Sequence, residues 1–419
     1  MTTFQPDMTS ENDLFFKGIY DRFIDDAAFL WVLRAVAVRQ PHYDKEELAE
    51  LEERLQAQLN GLMSSVELGW AACEEALKLE GPGEVFSAAV TAFRSHEVNK
   101  IKQVVDAGLQ NESTLKGLIS ALGWLSPEMA NPWIEKFLIS KDLDHKCLGL
   151  AACSVRRHDP ADYLATLLQR DDCLQHTKLH ARALRLIGEL RRQDLMPALS
   201  RAMSSDQPAI AFWANWSAIL LGNKAALKNL QPYLFKPGPY QQKAINIAFR
   251  VLPIEEARDY ITAMAQDETL NRAVIRATGV LGDPHAVNWL ITKMREPQSA
   301  RLAGEAFTMI TGIDLAHNQL SQLPPAIDLD DESGEDNVAM DEDEHLLWPD
   351  AEKVTRLWQQ RGRHFIVGQR YFMGQTINSA WLLDMLANAK QRQRQGAALE
   401  LALTDPAHNF YNTQARVAN

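Results

Sequence analysis

From about Leu115 to Leu315 apolar positions recur in paired clusters, roughly every 30 residues. The first cluster of each pair is small and aliphatic: Ala121–Leu125, Ala151–Val155, Leu186–Leu190, Ala218–Leu221, Ala248–Leu252 and Ala277–Leu281. A second follows some 9–13 residues later, at Phe137/Leu138, Leu167/Leu168, Leu199, Leu230/Tyr233, Ile261 and Leu290/Ile291. This spacing predicts two short antiparallel helices per unit. One helix pair cannot bury its apolar face until a neighbour stacks on it, so a fixed period of this length predicts an all-α fold, an α-solenoid. Solenoids expose a long curved surface, and holding a partner is the function expected of one.

The flanks read differently. Residues 1–83 predict an N-terminal helical cap. Ala27–Val38 is an apolar stretch interrupted by Arg34 and stopped near Pro41. Asp44 and Glu47 have the spacing of a capping box, in which each side chain satisfies the other's backbone amide. Behind them Leu48, Leu51, Leu55, Leu59 and Leu62 form an apolar stripe, with Glu46, Glu50, Glu52 and Glu53 expected on solvated faces. Gly81-Pro82-Gly83 breaks the segment, and 84–320 is assigned to the repeats, beginning with a degenerate one over Glu84–Glu112.

The turns between helices carry their own signals. In Leu281-Gly282-Asp283-Pro284 the glycine suits a left-handed cap, the aspartate an N-cap and the proline a first turn. Ser126-Pro127 and Asp159-Pro160 suggest the same arrangement. Gly304 and Gly312 are expected to serve helix packing or capping.

After Leu315 the period is lost. Asp328 to Glu344 holds ten acids and no base, and like charges at that density repel, so 321–345 is expected to be an acidic flexible linker. Order returns in a small, mostly helical module over 346–419. Asp350 is placed to cap a helix through Trp358, and Arg361–Gly374 suggests turns or short strands. Trp381–Leu386 and Ala397–Leu403 then read as helices flanking Gln391-Arg392-Gln393-Arg394.

At 419 residues the chain exceeds what one compact core usually holds. Its net charge of −12 resides in the N-terminal region and the acidic linker, leaving the repeats nearly neutral, so the overall charge argues neither for nor against nucleic acid. No signal peptide is recognised in the first residues and no apolar run suits a bilayer. Cys73, Cys147, Cys153 and Cys173 lie within helical patterns without a disulfide framework, which suits a reducing cytoplasm.

Candidate chemistry is sparse. Cys173, His176 and His180 share a helix face, and a thiolate with two imidazoles can bind zinc, but a fourth ligand would have to come from elsewhere. The plainer reading is a polar helix start, and no metal is assigned. The adjacent carboxylates Asp171/Asp172 and Glu255/Glu256 point different ways on a helix and make no acid–base pair. No nucleophile elbow, phosphate-cradling glycine loop or zinc-protease motif occurs, so neither an enzyme nor a cofactor is expected.

Arg182, Arg185 and Arg192 belong to a basic stripe between Arg170 and Arg201 that suits phosphates or a protein partner, although Asp171, Asp172, Glu189 and Asp194 interleave with it. Trp213 and Trp216, three apart, are candidate anchors for a partner. Arg392 and Arg394 in the last module are candidate contacts as well.

Several stretches together resemble an uncharacterised bacterial HEAT-repeat family encoded beside type VI secretion genes. They are Ala28-Phe29-Leu30-Trp31 with Arg34 and Ala35; Pro41-His42-Tyr43-Asp44; the Leu48–Leu62 helix; and Arg301–Phe307 running into Ile310–Leu315. The acidic tract with Trp348-Pro349-Asp350, Gly368–Gly374, Gln391–Arg394 and Ala397–Leu403 continue the likeness in the same order. The resemblance implies short HEAT-like helical hairpins and an accessory cytoplasmic role, as an adaptor or chaperone-like factor. The implied partner is a secreted effector, its adaptor, or a spike or PAAR-like tip protein. It implies no catalytic residue. The sequence leaves two other functions open: a nucleic-acid-binding or glycosylase- or lyase-like protein on a HEAT scaffold, and an immunity protein against a neighbouring toxin.

Overall fold

The paired apolar clusters fall one per helix, or at its C-cap, in the computed structural model, which describes residues 8–325, 341–405 and 408–417. Among the described residues the chain is all-α, with 22 α-helices, short 3-10 turns and one two-residue ribbon. It divides into two compact units, Met1–Leu190 with Asn412–Asn419, and Arg191–Tyr411.

The first unit contains α1 (Met8–Ala37), α2 (Lys45–Leu62), α3 (Val66–Leu77), α4 (Pro82–Ser95), α5 (Val98–Gly108) and α6 (Glu112–Trp124). It continues with α7 (Pro127–Ile139), α8 (Leu143–Arg156), α9 (Asp162–Leu167), α10 (Asp171–Gln175) and α11 (Thr177–Glu189). Helix α2 starts on the expected capping box, with Asp44 accepting from the Glu46 and Glu47 amides and Glu47 from the Asp44 amide. Its leucine stripe is fully buried. Helices α4, α6, α8 and α11 pack one on the next, and α1 covers α2, α3 and α4.

Glu52 departs from the sequence reading. Its side chain is 0% exposed rather than solvated, because α1 brings Arg34 opposite it at 2.8 Å. The last described residues close over this pair: the Val417 amide donates to Glu52 at 2.7 Å, and Arg34 donates to the Gln414 carbonyl. Two turns also differ in detail. Ser126 occupies the N-cap of α7 without a side-chain bond to the helix amides. The Asp159 carboxylate accepts from the Ala161 amide, so α9 starts later, at Asp162.

The second unit begins with α12 (Met196–Ala202), α13 (Pro208–Leu220), α14 (Leu227–Leu234), α15 (Gln241–Val251), α16 (Ile254–Met264) and α17 (Asn271–Leu281). Then come α18 (Val287–Lys293), α19 (Pro297–Thr311), α20 (Ala351–Arg361), β1 (Tyr371–Phe372), β2 (Gln375–Thr376), α21 (Ser379–Asn388) and α22 (Gln391–Thr404). Here α13, α15, α17 and α19 pack in succession, with α14 on α15, α16 on α17 and α18 on α19. Gln391–Arg394, expected to separate two helices, is the first turn of α22, with the Arg394 side chain donating to the Leu386 carbonyl and to Gln391.

The C-terminal segment of this unit is fastened onto helix ends. The last carbonyls of a helix have no partner within it. Gly282 caps α17 in the left-handed conformation, at φ 75°, and its carbonyl accepts from the Tyr371 amide at 2.8 Å. At the end of α19, capped by Gly312 at φ 66°, the Met309 and Ile310 carbonyls accept from the Met373 and Gly374 amides. Arg370 donates to the Leu281 and Arg250 carbonyls and grips Glu400 with two bonds of 2.8–2.9 Å. Glu400 is buried and lies 3.2 Å from Arg250 as well. No helix of the described residues is long and apolar enough to cross a membrane.

Candidate functional site

Arg272 and Arg276 stand one turn apart on α17, so their side chains share a face. Arg301 projects from α19, and Arg392 from the first turn of α22. All four converge on one short non-helical stretch, Asp341-Glu342-Asp343. Arg272 binds the Asp343 carboxylate with both terminal nitrogens, at 2.7 and 2.9 Å. Arg276 pairs with Glu342, and Arg301 with Asp341. The main chain is held too: Arg301 donates to the Asp343 carbonyl at 2.9 Å and Arg392 to the Glu342 carbonyl at 2.8 Å. Arg392 also pairs with Glu305 at 2.9 Å.

The stretch is itself a turn, closed by the Glu344 amide on the Asp341 carbonyl and the Leu346 amide on the Asp343 carbonyl. Further along, Trp348 lies under the Arg301 guanidinium at 4.9 Å, so one arginine touches both a carboxylate and an indole face. Beside Trp348 opens a hollow of about 280 Å³, lined in part by Met294, Arg295 and Asp350.

The charges respond as this geometry requires. The bond to Asp343 raises Arg272 above its ordinary pKa. Asp341 is held below the usual carboxylate range, first by the Asp343 amide and then by Arg301. Burial pushes Glu305 up, and Arg392 opposes that shift. Of the linker expected over 321–345, residues 326–340 lie outside the described residues. Both described ends are held: Ser321 bridges Pro349, and Asp341–Asp343 are seated because arginines offset the repulsion among them.

The residues singled out from the sequence have other surroundings. Arg185 binds the buried carboxylate of Glu189 at 2.8 Å, which Ser154 and Arg157 also contact. Arg182, half-buried on the same helix, has its pKa lowered by desolvation. Arg192 pairs with its near neighbour Asp194 at 2.8 Å. Trp213 packs edge-on against Phe212 and Trp216, while Trp216 is buried and meets Phe410. Arg394 is buried. Of the seven candidate contacts, Arg392 alone belongs to the cluster on the acidic turn. The signal for its neighbours was present in the i, i+4 arginines of α17, but nothing local tied them to acids some 70 residues further on.

Cys173, His176 and His180 are not gathered as ligands. Cys173 is buried and burial pushes its thiol up, whereas His176 caps α11 by accepting from the Leu179 amide. Among the described residues no group of three or more His, Cys, Asp or Glu side chains is placed to hold a metal ion. No family model, curated protein or solved structure matches this chain.

Proposed function

We propose that this chain is a non-enzymatic scaffold, an α-solenoid of HEAT-like hairpins that holds a protein partner in the cytoplasm. The observation that carries the reading is the succession α13, α15, α17, α19, each packed on the next with a companion helix beside it. Such a series presents consecutive helices along one surface, and side chains from successive repeats then act together. Arg272 and Arg276 on α17 and Arg301 on α19 stand on consecutive packed helices, which supports this reading. The resemblance to proteins encoded beside type VI secretion genes supplies the partner class: an effector, its adaptor, or a spike or PAAR-like component awaiting export.

The test is capture of the tagged chain from its native host, with co-purifying proteins identified by mass, alongside deletion of its gene. Recovery of a secretion component together with loss of effector export supports the reading. Self-killing on deletion would instead identify an immunity protein. Retention of DNA at low salt, lost in R182A/R185A/R192A, would identify a nucleic-acid protein. A capture that returns no protein overturns the scaffold.

A further inference from the structure

We propose that the arginine face of α17 and α19 is a receptor for an acidic turn followed by an aromatic residue on a partner protein, and that Asp341–Trp348 occupies it as an internal stand-in. The inference rests on the scaffold reading and names the chemistry of the partner.

The face has the features of a built site. Arginines from three helices, far apart in sequence, are brought together; Glu305 of α19 pairs with Arg392, and the acids of the turn neutralise Arg272, Arg276 and Arg301. The arginines contact both side chain and main chain of the turn: carboxylates through Arg272, Arg276 and Arg301, and main-chain carbonyls through Arg301 and Arg392. Side-chain bonds supply charge selectivity and carbonyl bonds supply register. Trp348 against Arg301 adds an aromatic requirement downstream of the acids.

The internal ligand is held mainly by charge. Glu342 is 65% exposed and Asp341 50%, and Glu344 and Leu347 face solvent, whereas Asp343, at 4%, is the sealed anchor of the turn. Exposed ion pairs each contribute little and are screened by salt. A second segment of the same chemistry therefore competes first at Arg276 and Arg301, and displaces the turn by offering Arg272 a carboxylate in place of Asp343. Phosphate-rich polymers meet the charge requirement but offer neither the carbonyls nor the indole.

The experiment uses the full chain and a fluorescent synthetic peptide with the sequence of residues 341–350. Wild-type protein should bind it weakly, because the internal copy occupies the site. D341N/E342Q/D343N should bind at least ~10-fold more tightly, since occupancy by a competitor lowers apparent affinity in proportion. Adding R272E and R301E should abolish the gain. Equal binding by wild type and the neutralised variant, or binding that survives the arginine reversal, overturns the proposal. So does a preference of the neutralised variant for a single-stranded oligonucleotide over the peptide.

Should the neutralised variant misfold, hydrogen exchange on wild-type protein decides. Excess peptide should accelerate exchange at the Glu344 and Leu346 amides, and no change counts against the proposal. Partner capture with R272E/R301E separates this inference from the one it rests on. A partner retained by that variant defeats the arginine receptor and leaves the scaffold standing, whereas no partner with either protein defeats the scaffold.

Discussion

Arg272 holds Asp343 through two parallel hydrogen bonds although 71 positions separate them. The pair is asymmetric: the Asp343 side chain is 4% exposed and that of Arg272 41%. Removing the arginine leaves a buried carboxylate without its main partner, whereas removing the acid leaves a cation within reach of water. Arg272→Ala should therefore cost more stability than Asp343→Asn, by about 1 kcal/mol once solvent screening of the exposed arginine is discounted. Chemical denaturation of the two single variants and the double variant measures the difference and the coupling between the residues. Equal costs with no coupling would refute the asymmetry.

Arg34 and Glu52 make the stronger case, because both side chains are nearly sealed, at 7% and 0% exposed. Arg34→Met strands a buried charge and should destabilise the first unit by about 3–5 kcal/mol. Replacing both, as R34M/E52L, should recover much of that loss, since an apolar pair of similar volume avoids the desolvation of two ions. Thermal melts of the three proteins provide the comparison. A double variant no better than R34M would show that the Val417 and Gln414 contacts, rather than the ion pair, dominate.

Gly282→Ala meets two obstacles at once. The residue sits at φ 75°, and a Cβ built there would lie 2.1 Å from the Tyr371 carbonyl oxygen. Strain and clash together should cost more than about 1 kcal/mol. The damage should appear where β1 docks, as faster proteolysis within 361–376, with the α17 core retained. Unchanged cleavage in that region would mean that the β1 contact is dispensable.

Two carboxyls near the arginine face should titrate with opposite effects on stability. Asp341 is held below its ordinary 3.8, so its contribution is present above that value and is lost as pH falls through the lowered folded pKa. Glu305 is raised above its ordinary 4.5, so its favourable contribution is complete below that value and is lost as pH rises through the raised pKa. Glu305→Gln should accordingly gain stability relative to wild type as pH increases above about 4.5, the ordinary value. Melting temperatures of the two proteins from acid to neutral pH give the result. A difference independent of pH would show that Glu305 is not perturbed.

Burial pushes the Cys73 and Cys153 thiols up to about 12. At mildly alkaline pH neither should react with a thiol reagent in the native state, because the thiolate is the nucleophile. Denaturant should make all four cysteines reactive, as all four are free thiols. Rapid native labelling at Cys73 or Cys153 would contradict their burial.

Features that depend on a few neighbouring residues were legible in the sequence. The Asp44–Glu47 box, the Gly282-Asp283-Pro284 turn and the Asp350 cap each form within one helical turn, so their spacing alone specifies them. The Asp159 turn was misplaced because its carboxylate bonds the Ala161 amide before the helix begins. Gln391–Arg394 looked like a polar separator, yet its arginine finds a carbonyl on α21 and the helix runs through it. Glu52 looked solvated because Arg34, the residue that makes its burial tolerable, lies on another helix.

The amino-acid order by itself determined that this chain is helical, where most of its helices lie and which faces they bury. Those properties follow from short-range periodicity and from backbone groups that must be satisfied locally. Only the tertiary structure decided which charges meet. Arg272 with Asp343, Arg34 with Glu52 and Arg370 with Glu400 are pairings across long stretches of chain, and an ionic group carries no periodic signal of its partner. Packing the helices sets those distances, and at a few ångströms a carboxylate expected to repel its neighbours becomes the ligand of an arginine face.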